Sequence, residues 1–155
     1  MKGSSAGFTL LELMVVLVIA SLFVALASPS VRGLYDSMQY RDAVRGLSSA
    51  AKNARRTAMA EGNPVDLIID ADLKTYWLTT KAGSESVAGA PAIDDSLALE
   101  VTYAAEMSPG GGLAAIRFFP LGGSSGGEIK ILRPSGVGTM LKVDWLLGEV
   151  KQEPL

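Results

Sequence analysis

Cysteine and histidine are both absent from this 155-residue chain. Without cysteine no disulfide framework can form, and without histidine the usual proton shuttle and the commonest metal ligand are missing. Ser-His-Asp, Cys-His and zinc-centred chemistries are thereby excluded. The missing cysteine does not assign a compartment, because an extracytoplasmic protein can do without bridges. An excess of positive charge is lacking as well. Lys and Arg number 14 against 16 Asp and Glu, a formal net charge of -2. No basic field exists to hold nucleic acid or an anionic lipid surface by counterion release, so nucleic acid is not an expected partner. The length suits one compact domain plus one membrane segment, and the apolar fraction of 48% is raised by a single N-terminal run.

That run is the most informative part of the chain. Gly7-Phe8-Thr9-Leu10-Leu11-Glu12 leads into a stretch that is apolar from Leu13 to Ala27, with Ser21 the only polar interruption. An ionisable group at the centre of a spanning helix costs roughly 2.5–3.5 kcal/mol on insertion scales, so Glu12 is expected to serve a function, here subunit assembly. A secretory signal peptide would use Lys2, the apolar core and Ala25-Leu26-Ala27 as a cleavage site before Ser28. Against it, Glu12 intrudes at the head of the core, and Phe8 to Ser28 is nearer the ~20 residues of a membrane span than the 7–15 of a signal core. A plain uncleaved anchor, with Lys2 on the cytoplasmic side, accounts for the hydrophobicity but not for Glu12.

A short basic leader, Gly7, then Phe8, Glu12 fifth from Phe8 and a long apolar run together resemble the class III signal of type IV pilins and pseudopilins. The resemblance implies that a prepilin peptidase cuts after Gly7 on the cytoplasmic side and that the new amine of Phe8 is methylated. It also places Pro29 where that family carries a helix-kinking proline. A carboxylate in low dielectric needs a partner, and in a helical filament Glu12 can meet the charged amine of a neighbouring Phe8, which selects one axial register. Small residues Ala20, Ser21, Ala25 and Ala27 let helices approach closely.

Beyond Pro29, which removes an internal helix bond, Tyr40, Val44, Leu47, Ala51, Ala54 and Ala58 recur at spacings of three and four and mark one helix face. Gly62-Asn63-Pro64 closes it. The expected helix runs from Phe8 to Glu61, kinked at Pro29. Arg41, Arg45, Lys52, Arg55 and Arg56 read as a solvated helix face rather than a binding stripe. Strands are expected over Val65–Asp70, Thr75–Thr80, Leu97–Tyr103, Ala115–Phe119, Glu128–Leu132 and Thr139–Trp145, with 71–74 as a hairpin connection and Lys81–Asp95 as a surface loop. Short strands without intervening helices imply an antiparallel head with the helix on one face. Trp77, Phe118, Ile129, Ile131, Leu141, Val143 and Trp145 are expected as core or subunit-contact residues, with core favoured for each.

Other chemistry finds little support. The glycines of Gly122–Gly127 permit a tight turn. As a phosphate loop they fail, because Glu128 and Ile129 stand where lysine and Ser/Thr belong. Ser49-Ala50-Ala51-Lys52 fits the Ser-x-x-Lys pattern of penicillin-binding enzymes but lacks its companion motifs. Neither Asp70 with Asp72 nor Asp94 with Asp95 has the ligand spacing of a calcium loop. No cofactor, metal or catalytic residue is expected, and the missing histidine weighs against a hydrolase.

A second resemblance covers Ile116-Arg117-Phe118-Phe119-Pro120-Leu121-Gly122-Gly123-Ser124-Ser125-Gly126-Gly127-Glu128-Ile129 and Val143-Asp144-Trp145-Leu146-Leu147-Gly148-Glu149-Val150. These segments are similar to the H-type minor pseudopilins of type II secretion, whose head is shared by minor pilins of type IV pili. The implied fold is α+β and pilin-like, a long N-terminal transmembrane and stalk helix packed on an antiparallel sheet head. Implied domains are a cleaved leader 1–7, a transmembrane and assembly helix 8–28, a periplasmic stalk 29–62 and a head 63–155. The implied role is structural, in a pseudopilus that exports folded proteins across the outer membrane. Its partners would be other major and minor pseudopilins, the prepilin peptidase and methyltransferase, the inner-membrane secretion platform and the inner membrane. The alternative is a minor pilin of a type IV pilus, in assembly, adhesion or DNA uptake; the mixed charge of Gly148–Leu155 offers no arginine cluster for phosphate.

Overall fold

A computed structural model of the chain describes residues 7–80 and 89–155, excepting the side chains of 24–34. One helix, α1, runs Leu10–Glu61. Among the described residues seven strands follow, β1 Val65–Asp70, β2 Thr75–Thr79, β3 Ala98–Tyr103, β4 Leu113–Phe118, β5 Gly127–Leu132, β6 Gly138–Val143 and β7 Val150–Pro154, with a 3-10 turn at Ala105–Met107. The expected leader residues 1–6 and Ala25-Leu26-Ala27 lie outside what is described. So does the Pro29 side chain, and with it the expected kink, although the backbone at 29 falls within α1. The chain divides into two compact units, 1–38 and 39–155.

In the first unit, Thr9 starts the helix. Its Oγ1 accepts from the Glu12 N–H at 3.3 Å and its carbonyl from Leu13 N at 3.2 Å, satisfying donors that have no partner within the helix. Ser21 Oγ donates to Val18 O at 2.8 Å, which quiets the one hydroxyl in the apolar stretch. Among the described residues no helix is long and apolar enough to cross a membrane; the apolar run continues past residue 23 into side chains that are not described.

In the second unit, Tyr40, Val44, Leu47, Ala51, Ala54 and Ala58 are all buried, joined by Ala43. Alanine along the last two turns lets the helix axis approach the strands closely. The head is two antiparallel sheets, ordered β2-β1-β4 and β3-β5-β6-β7. Leu67, Ile69, Ile116 and Phe118 from the first, and Ile129, Ile131, Leu141 and Val143 from the second, share one core with the helix. Each such side chain contributes about 1.5–3 kcal/mol by leaving water. Ile68, Trp77 and Ala115 form a smaller cluster on the other face of the first sheet, so β1 is buried on both sides.

Three expectations need correction. Trp145 is not in the core but 68% exposed: β6 ends at Val143 and the next residues form a turn about Asp144, whose Oδ1 accepts from Leu146 N at 2.9 Å and Leu147 N at 2.8 Å. Within the expected surface loop 81–95, residues 81–88 are not described, and Ile93 is buried in the main core, its N–H donating to Lys74 O at 2.7 Å. The chain end forms a fourth strand, β7, in the second sheet. Main-chain pairing with β6 places it there, with Val150 packed on the core and Gln152 Nε2 donating to Ser48 Oγ at 3.4 Å, while its residues beyond Val150 are exposed.

Candidate functional site

The residues that carried the functional expectation lie at the start of α1, Gly7 and Phe8 just before it and Glu12 in its first turn. Gly7 has open space around it. Phe8 is 79% exposed. Glu12 is exposed in the first helical turn, where a carboxylate is favoured by the helix dipole. Its spacing from Thr9 is that of a capping box, and its backbone N–H supplies the bond to Thr9 Oγ1. From Phe8 to Phe23 every large apolar side chain is about half exposed or more, and Leu11, Met14, Val15, Val18 and Ile19 line a shallow groove of about 310 Å³. A helix segment apolar on all sides requires lipid or other helices around it.

The second resemblance falls on two loops of the other unit that the fold brings together. After Phe118 the chain leaves the first sheet through 119–126 and enters the second at Gly127. Phe119 N donates to Gly123 O and Gly122 N to Phe119 O, both at 2.9 Å. Gly122 and Gly126 adopt φ of +97° and +72°, a region open to glycine at little steric cost. Ser124 is buried; its N–H donates to Trp145 O and its Oγ to Asp144 O, both at 2.9 Å, while Gly126 N donates to Ser124 Oγ at 3.0 Å. The glycine segment is thus a self-satisfied turn.

Arg55 ties this loop pair to α1. Its Nε donates to Gly122 O at 3.2 Å, and its side chain packs so near Gly148 that an added Cβ there would lie 3.3 Å from Arg55 Cδ. The expected solvated basic face holds for Arg41, Arg45, Lys52 and Arg56, all exposed, but Arg55 is half-buried. Beside it a groove of about 550 Å³ is lined by Ser49, Lys52, Arg55, Arg56, Gly148, Glu149 and Val150. Among the described residues none of these three cations is in a salt bridge.

The carboxylates considered for calcium serve turns. Asp70 Oδ1 accepts from Asp72 N at 3.0 Å and Leu73 N at 2.8 Å. Asp94 Oδ1 accepts from Ser96 Oγ at 2.6 Å and Ser96 N at 2.9 Å. Among the described residues no three or more acidic side chains gather as a metal site. What residue-by-residue reading missed is the apolar exposure of Leu121, Leu146 and Leu147. The signal was the triplet Trp145-Leu146-Leu147 before Gly148, since three consecutive apolar residues cannot all face inward from one strand.

An N-terminal helix whose second half packs on antiparallel sheets is a pilin-like fold, here preceded by a Gly-Phe-x-x-x-Glu head. The chain matches the prokaryotic N-terminal methylation motif over residues 2–28. Its fold is shared with the type IV minor pilin FimU of Pseudomonas aeruginosa, at TM-score 0.57 and 16% identity over 78% of this chain and 92% of that one. It is also shared with the minor pseudopilin EpsH from the type 2 secretion system of Vibrio cholerae, at TM-score 0.53 and 9% identity over 76% and 96%. In sequence the chain resembles type II secretion system protein H of Xanthomonas campestris pv. campestris, 29% identical over 151 residues, 96% of this chain and 83% of the relative.

Proposed function

We propose that this chain is a minor pseudopilin, a structural subunit of a type II secretion pseudopilus that supports export of folded proteins across the outer membrane. The observation that carries this reading is the likeness to type II secretion system protein H along 96% of the chain, joined to the methylation motif at residues 2–28. The motif implies a membrane-anchored N-terminus. In the full reading, residues 1–7 are a leader cut after Gly7, Phe8 becomes the N-methylated terminus, and 8–28 cross the inner membrane once. Residues 29–62 form the stalk and 63–155 the periplasmic head. Glu12 pairs with the Phe8 amine of a neighbour, and Pro29 loosens the helix where it leaves the bilayer. Partners are the prepilin peptidase and methyltransferase, the other pseudopilins and the inner-membrane platform. The chain performs no chemistry of its own; packing free energy of helix and head is its contribution.

The structural likeness to FimU favours a second reading, a minor pilin of a type IV pilus. Deleting the chain separates the two: loss of secreted cargo with pili intact supports the pseudopilus, and the reverse supports the pilus. The test common to both is the mass of the N-terminal peptide from membrane-extracted protein. The expected terminus is N-methyl Phe8; a chain starting at Ser28 overturns both. Replacing Gly7 by a bulky residue is expected to leave the precursor uncut in the membrane, read as a mass that retains Met1–Gly7.

A further inference from the structure

Two loops of the head carry an apolar surface that the core does not use. Phe119, Leu121, Trp145, Leu146 and Leu147 are 37%, 99%, 68%, 62% and 52% exposed. Single exposed apolar residues are ordinary, but five on two adjoining loops are a patch of the kind that marks an interface. The loops are held together before any partner arrives. Ser124 bonds to the backbone of Asp144 and Trp145, Asp144 Oδ1 fixes the amides of Leu146 and Leu147, and Gly148 lies so close that an added Cβ would be 2.5 Å from Gly122 O. Little ordering entropy remains to be lost on binding.

Arg55, bonded to Gly122 O, continues the patch into the groove where Lys52, Arg55 and Arg56 face one carboxylate, Glu149. The surface is therefore apolar on one side and positive on the other. We infer that the 119–121 and 145–147 loops, with the Lys52–Arg56 groove, dock a neighbouring filament subunit that presents an apolar anchor flanked by carboxylates. This rests on the reading of the chain as a filament subunit. A second copy of this chain, paired face to face, would oppose two positive grooves. An anionic membrane surface would meet Glu149 and Asp144 in a chain of net charge -2, where clustered unopposed cations are required.

The absence of cysteine makes a single introduced one a unique reporter. Full-length Leu146→Cys, and Leu73→Cys as a control 69% exposed on the β1–β2 turn, are labelled with a maleimide in cells and again after detergent dissociation. The expected result is that Leu146→Cys labels roughly tenfold more slowly in assembled filaments. Leu73→Cys is expected to be unchanged, and adding Arg56→Glu to restore labelling. A photo-crosslinker at Leu121 is expected to capture a different pilin-like subunit. Equal labelling before and after dissociation overturns the proposal, as does a disulfide between two copies or protection by phosphatidylglycerol vesicles alone. Sheared filaments probed for the wild-type chain read the subunit role separately. Its presence there with Leu146→Cys freely labelled overturns only the docking surface, and its absence overturns both.

Discussion

Asp66 is 5% exposed on the outer side of the first sheet, opposite Arg117 in the β1–β4 register. Arg117 Nε and Nη2 donate to its two oxygens, each at 2.7 Å, and this hydrogen-bonded fork holds the guanidinium above its ordinary pKa. A raised folded value stabilises at every pH below the unfolded one and is lost only as pH rises through it, so the pair is fully formed at neutral pH. Removing one member of a buried pair costs about 3–5 kcal/mol. Arg117→Met is expected near or below the lower end, since its side chain is 28% exposed, read as a fall in the urea midpoint of the full chain in micelles. Asp94 illustrates the opposite sign. The Ser96 hydroxyl, then its amide, holds the Asp94 carboxyl below its ordinary value. That stabilisation is present at neutral pH and lost as pH falls through the depressed folded value. The Ser96 amide is expected to lose exchange protection on acidification, and Asp94→Asn to abolish that dependence.

Elements were legible where one periodicity governed them. The helix face from Tyr40 to Ala58 repeats at three and four and is buried as read. The strand β1 has the bounds its Val/Ile-rich run suggests. Gly46 shows what a propensity argument alone gets wrong. Alanine in a helix interior is favoured over glycine by about 0.8–1.0 kcal/mol, yet a Cβ at Gly46 would collide with Tyr76 Oη on β2. Burial raises the Tyr76 hydroxyl pKa, and its ring packs in the core cluster beside α1. Gly46→Ala is expected to lower the thermal midpoint despite the better propensity. Gly46→Ala with Tyr76→Phe is expected to recover more than the two changes summed, a coupling measurable by a double-mutant cycle. β7 escaped the same reading because an edge strand with exposed side chains leaves no alternation; it is held by main-chain bonds to β6, by Val150 on the core and by the Gln152–Ser48 bond.

For the whole molecule, the two units pose different problems. In 39–155 helix and sheets bury one another. In the first unit, side chains from Phe8 to Phe23 find no such cover, so its packing energy is released only with other molecules. On the proposed reading, in which a charge pair with a neighbouring Phe8 amine would select register rather than insertion, Glu12→Ala is expected to leave membrane insertion and leader removal intact while cutting recovery in sheared filaments several-fold. Wild-type recovery would overturn the charge-pair reading of Glu12, whose bond to Thr9 is made by its backbone N–H and survives the change.

The sequence by itself determined the apolar N-terminal run, the amphipathic helix and most strands, since each is written in local order or in a period of two or 3.6. Only the tertiary structure decided the division into two sheets, the pairing of β7, the exposure of Trp145 and the meeting of the 119–121 and 145–147 loops at Arg55. These depend on contacts between residues far apart in the chain: Gly122 with Arg55 and Gly148, and Ser124 with Asp144 and Trp145. No local pattern encodes them, because a backbone hydrogen bond carries no side-chain signature.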